Sequence, residues 1–202
     1  TLNKTFTSSK LLGSFVLSIA NSSTASKPVF TIQNTNNGAT SGTLKFVNDK
    51  GGAGANSDVC GTIDFFGDDA NQDNIRFAQI EGIVADATNG QEGGRLKFSV
   101  ASHDGEINQG LVIQDGSAED EVDVVIGNGD ASTTTIDGIG IISGGDLQVK
   151  NVGARSTIKL YCESSNAHYV ALEAPAHGDS GWGGASNKTL SLPAATDTLV
   201  GK

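Results

Sequence analysis

The side chains best able to do chemistry in this chain are a few acids, three histidines and two cysteines, and their spacing limits what each could do. Asp69-Ala70-Asn71-Gln72-Asp73 has the D-x-N-x-D spacing that opens an EF-hand calcium loop, with Asp68 as a further oxygen donor. The sixth position is Asn74, where the turn needs Gly, and the twelfth is Ile80, where a bidentate Glu is needed. No helix signal flanks it, so an Asx-rich loop between strands is expected. Glu119, Asp120, Glu121 and Asp123 form the densest acidic run. Paired carboxylates could cleave a glycosidic bond, one as acid and one as base or nucleophile. A sugar-binding groove also wants aromatic platforms, and the chain holds one Trp and two Tyr. A solvated acidic turn is the expectation.

Nitrogen and sulfur ligands are just as sparse. Cys162, His168 and His177 would give a metal three ligands, but their spacing matches no zinc module. On a three-fold axis one His per chain could meet two copies of itself; ordinary polar or interface roles are expected for these two histidines and for His103. Cys60 and Cys162 fit no C-x-x-C pattern and are expected to be reduced core residues, a long-range disulfide being the alternative. No Gly-x-Ser-x-Gly elbow occurs among the many serines. Gly127-Asn128-Gly129 and Gly138-Ile139-Gly140 lack the third Gly and the following helix of a dinucleotide site, and read as turns. No catalytic residue, cofactor-binding residue or metal ligand is expected. Trp182, the only Trp, lies in the glycine-rich loop 178–187. It could stack on a sugar or anchor to another protein, or it could plug the end of a core. It is the one candidate for receptor or partner contact.

The elements that must position these residues are short strands. Apolar and polar residues alternate over 29–33, 43–47, 62–66, 96–100, 111–113, 122–126, 139–142, 147–149, 157–161 and 169–172, with a shorter piece at 135–136. Gly, Asn and Asp clusters bound these runs, as turns require. No window keeps helical spacing for three turns; 11–20 and 75–87 come nearest. An all-β fold is predicted. A unit recurs within it: Gly42-Thr43-Leu44-Lys45-Phe46, Gly61-Thr62-Ile63-Asp64-Phe65, Gly94-Arg95-Leu96-Lys97-Phe98 and Ser156-Thr157-Ile158-Lys159-Leu160. Each copy puts two apolar side chains on one strand face and a charge on the other. The irregular spacing of the copies excludes a fixed-period solenoid.

Composition bounds the class. Twenty-seven of the 202 residues are Gly, about twice the usual ~7%, while Val, Ile, Leu and Phe recur throughout, which argues against disorder. No sustained heptads suggest a coiled coil, and no apolar run is long enough for a membrane span. The net charge of −10 leaves no general phosphate-binding face, so no nucleic-acid partner and no membrane insertion are expected. Short strands, glycine-rich connections and few aromatics cannot bury enough surface in a single thin sheet to offset chain entropy. Either the strands close into a sandwich or other chains cover them, and an intertwined homotrimer does the latter.

Three stretches resemble virion fibre proteins of tailed bacteriophages, particularly those of marine and cyanobacterial phages. They are 73–100, which includes Asn74-Ile75-Arg76-Phe77-Ala78 and Gly94-Arg95-Leu96-Lys97-Phe98; Gly110-Leu111-Val112-Ile113-Gln114-Asp115-Gly116; and 168–176 with Lys188-Thr189-Leu190-Ser191-Leu192-Pro193. The likeness covers roughly 60–200, is absent from 1–40, and 178–184 departs from it. It implies an elongated, intertwined homotrimeric fibre of β-prism or β-sandwich modules, non-enzymatic and without cofactors. Such a fibre belongs to the virion, contacts other virion proteins, and supports host attachment through a cell-surface glycan or protein receptor. A capsid decoration or head-fibre protein, a tailspike polysaccharide depolymerase and a plain carbohydrate-binding β-sandwich are the alternatives. The expected organisation is a connecting segment 1–40, a central β module 41–130 and a C-terminal β module 131–202. Thr1 is not an initiator Met, and Gly201-Lys202 is an abrupt end for such a module, so a portion of a longer polypeptide is expected.

Overall fold

The computed structural model describes residues 29–151, 154–163 and 168–174. Every regular element among them is a β-strand, and all the pairings are antiparallel, so the predicted all-β class holds. No helix among the described residues is long and apolar enough to cross a membrane. The chain divides into two compact units, residues 1–135 and 136–202.

The first unit contains a five-stranded meander. β1 (Val59–Asp68), β2 (Asn74–Asp86), β3 (Gly93–Ala101), β4 (Ile107–Asp115) and β5 (Val122–Ile126) lie side by side in chain order. Local turn chemistry explains this simple order. In the β1–β2 loop the Asp69 carboxylate accepts hydrogen bonds from the backbone N–H of Asn71 (2.8 Å) and Asp73 (2.9 Å), an Asx turn that reverses the chain. In the β3–β4 loop Ser102 N–H donates to the Glu106 carbonyl and Gly105 N–H to that of Ser102. Gly105 sits there at φ 87°, where a Cβ would be strained. In the β4–β5 loop Glu121 takes the capping role. Because each reversal is specified within a few residues, consecutive strands pair with one another.

The ladders skip Cys60, Phe77, Ala85 and Gly110, each of which faces no partner of its own in the register. These bulges sharpen the local twist. They also account for one departure from the sequence reading. The window 75–87 comes close to helical spacing, yet it is the longest strand, 13 residues. The bulge at Phe77 breaks its alternation, and the central position between two partners imposes the extended state.

Three stretches with strand-like alternation form no ladder. Residues 29–33 and 43–47 are exposed and carry no regular structure, joined by side-chain turns such as Asn34 Nδ2 donating to the Thr40 carbonyl (2.9 Å). Residues 135–149 likewise carry no strand. The end of the first arm is tied to β1: Asn48 Nδ2 donates to the Val59 carbonyl (2.9 Å), and Lys50 Nζ bonds both Asp58 carboxylate oxygens (2.9 Å each).

In the second unit, β6 (Thr157–Tyr161) pairs with β7 (Tyr169–Glu173) as a two-stranded hairpin. The Tyr161 and Tyr169 rings meet at 5.4 Å, Lys159 Nζ lies 4.7 Å from the Tyr169 ring centre, and Arg155 Nε reaches Glu173 Oε1 at 3.2 Å.

Candidate functional site

Strand register sorts the five-stranded sheet into two unlike faces. One face carries the rows Ile63, Ile80, Phe98, Leu111, Ile126 and Gly61, Gly82, Leu96, Ile113, Val124. Neither row contains a polar side chain. The opposite face carries Asp64, Gln79, Ser99 and, one step along, Thr62, Glu81, Lys97, Val112, Val125. Its polar groups pair across the strands. Gln79 Nε2 donates to Asp64 Oδ1 (2.9 Å), Lys97 Nζ to Glu81 Oε2 (3.0 Å) and Arg95 Nε to Gln114 Oε1 (3.1 Å). Each bond joins residues that the ladder sets opposite one another.

Burial is distributed contrary to polarity. The buried side chains of the sheet are Val112, Gln79 and Ser99, 4%, 8% and 4% exposed, and all three belong to the polar face. Long neighbours there cover the centre of the sheet with their own stems. On the apolar face Phe65 is 50% exposed, Val124 56% and Ile126 61%. Among the described residues, Val112 is the sole buried hydrophobic one. A sheet with one apolar face must bury that face against another layer, and this chain lays no second layer over it among the described residues.

The arm covers only one corner of it. A Cβ built on Gly61 would meet the Cβ and ring of Phe46, so the aromatic side chain crosses β1 where that strand has no side chain. Beyond it an open hollow of about 500 Å³ remains, lined by Gly82, Gly94, Leu96, Ile113 and Val122, with Cys60 at its rim. The missing side chains of Gly82 and Gly94 shape this depression.

Of the described residues singled out by their chemistry, Cys60 alone borders this hollow, and Cys162 and His168 meet in the β6–β7 hairpin. Asp69 spends one carboxylate oxygen on its own loop's backbone, so the D-x-N-x-D stretch is the expected Asx turn. Among the described residues no three His, Cys, Asp or Glu are placed to hold a metal ion. In the acidic run, Glu121 Oε2 accepts from Ser117 N–H (2.8 Å), Ser117 Oγ (3.1 Å) and Ala118 N–H (3.0 Å). These bonds, the Ser117 amide first, hold its carboxyl below the usual glutamate range. Glu119 and Asp120 border a polar hollow shared with Asp86, Glu92 and Asp115, and no aromatic ring lines it. Thr88 N–H lowers Asp86 and Gly90 N–H lowers Glu92 in the same way.

His103 is exposed in the β3–β4 loop. His168 sits at the end of the β6–β7 hairpin, where its Nδ1 lies 3.9 Å from Cys162 Sγ. The expectation that the cysteines are core residues is corrected: Cys60 and Cys162 are both exposed, and neither forms a disulfide. Cys60 is displaced from the ladder by its bulge, and Cys162 directly follows β6, which is exposed along most of its length. Trp182 and His177 lie outside the described residues.

The uncovered face is the feature that isolated motifs do not reveal. Its signal in the sequence is the recurring unit with two apolar residues on one side, which β1, β3 and β6 all carry. Comparison with protein-family models, curated proteins and solved structures finds no match for this chain.

Proposed function

We propose that this chain is a structural subunit of a tailed-phage virion fibre, a non-enzymatic homotrimer that supports host attachment. The observation that carries this reading is the five-stranded sheet whose apolar face stays open while its polar face is internally paired. Such a face gains about 25 cal/mol for each Å² of apolar surface removed from water. Its two central rows carry no charged side chain to orient a foreign, charged partner, Asp115 standing only at their margin opposite Val122, whereas another copy of the chain brings the same deficiency and the same remedy. Three sheets facing a common axis would supply one another's missing layer, as closed cyclic symmetry allows. The resemblance of 73–100, 110–116 and 168–176 to phage fibre proteins supports the virion context. Host receptor contact falls to loops, with Trp182 the first candidate.

Sedimentation of the purified chain across a dilution series tests the assembly, with a species of three chain masses expected. A stable, cooperatively melting monomer at every concentration overturns it. Labelled antibody on intact virions then distinguishes a tail fibre from a protein attached to the capsid.

A further inference from the structure

Within that trimeric reading, on which this inference rests, we infer that segment 43–47 of one copy adds as a strand to the outer edge of β5 in the next copy. Three observations point there. The recurring unit forms ladder strands at 61–65 and 94–98, but its copy at 42–46 has no strand partner among the described residues. β5 ends the strand order and is exposed along its length, so one edge of its backbone lies unpaired among the described residues, and exposed edges are templates for strand addition. The two segments also match in length and pattern. Leu44 and Phe46 would extend the apolar face beside Val124 and Val122, and Lys45 would stand opposite Asp123 on the polar face. An antiparallel register sets all three pairs at once and continues the pairing found in the rest of the sheet.

The donor must come from another copy. Phe46 and Asn48 are held at β1, and β1 and β5 are opposite edges of the sheet. Four strand spacings of ~4.8 Å, roughly 19 Å, separate them. A chain's own Lys45 therefore stays far from its own Asp123. The arrangement is head-to-tail, β1 and its arm of one copy against β5 of the next, and three such contacts can close a ring.

Cross-linking tests it. In a Cys60→Ser, Cys162→Ser background, Lys45→Cys with Asp123→Cys should oxidise to covalent dimers and trimers on a non-reducing gel. Opposed residues on neighbouring strands can lie within the ~4.4–6.8 Å Cα separation that a disulfide spans. Either cysteine alone should yield little product. As a second measurement without new thiols, Lys45→Glu should weaken the trimer about tenfold or more, and adding Asp123→Lys should restore it. A trimer by sedimentation that neither cross-links nor responds to the charge reversal overturns the strand addition and leaves the fibre reading standing. A monomer overturns both. Cross-linking confined to single chains overturns the exchange between copies.

Discussion

Individual side chains in this protein work mainly on the backbone beside them. Asp69, Asp86, Glu92 and Glu121 each accept hydrogen bonds from amides of their own loops, and Asp58 binds Lys50 and the Ala55 amide. For Asp58 the Lys50 ammonium is the main cause of a carboxyl held below its usual range, with the Ala55 amide next. Groups depressed in the folded state stabilise it above their ordinary titration range and lose that contribution as pH falls through their folded values. The loops are therefore expected to loosen in acid, below the usual carboxylate range of about pH 4. An NMR titration of the Ser117 and Ala118 amides should follow Glu121 with a midpoint below the ordinary glutamate value. A midpoint at or above that value refutes the capping role. Gly61 offers a second residue-scale check. Gly61→Ala places a methyl group where Phe46 lies, so the arm should detach from β1. Faster amide exchange at 44–48 with β3 and β4 unaffected is the expected result.

At the scale of strands, cross-strand pairs and a small buried centre hold the sheet. Val112→Ala removes the one buried apolar side chain among the described residues and should cost about 2 kcal/mol in chemical denaturation, if the sheet folds as a unit. The Glu81–Lys97 pair, at 3.0 Å and partly buried, should show a coupling of about 0.5–1 kcal/mol in a double-mutant cycle with Ala. Most of these strands were legible in the sequence because a half-buried strand must alternate, and β1, β3, β4, β5, β6 and β7 do so between clear turn residues. β2 was obscured by the Phe77 bulge, which shifts the alternation midway. The opposite discrepancy is more informative. Residues 29–33, 43–47, 139–142 and 147–149 alternate like strands yet join no ladder among the described residues. Alternation specifies a two-faced extended segment and is silent about which molecule supplies the neighbour. The cysteines were misplaced because a small apolar side chain suits a core, and the sequence does not disclose that Cys60 stands at a bulge. The Asx-turn role of Asp69 was legible from its failed sixth and twelfth calcium positions.

For the whole molecule and its proposed assembly, the two faces of the sheet give a paired test. Val124 and Val125 are neighbours on β5 that point to opposite faces. Val124→Glu should shift the sedimenting species toward monomer, because it sets a charge on the face proposed to meet other copies. Val125→Glu lies on the polar side, in the row that holds Lys97 beyond Val112, and should leave the proposed oligomer intact. Equal effects from both substitutions would show that the apolar face has no special part in association.

The composition of β5 also bears on how the protein reaches its folded state. Val122-Asp123-Val124-Val125-Ile126 is a short, β-branched run with a single charge to interrupt it. In the proposed assembly, a newly made chain still without its neighbours would present this run on an unpaired edge, the type of segment that nucleates insoluble cross-β stacks. Asp123 then serves as a gatekeeper during synthesis. Asp123→Val should send much of the recombinant product into inclusion bodies even if the folded protein were no less stable.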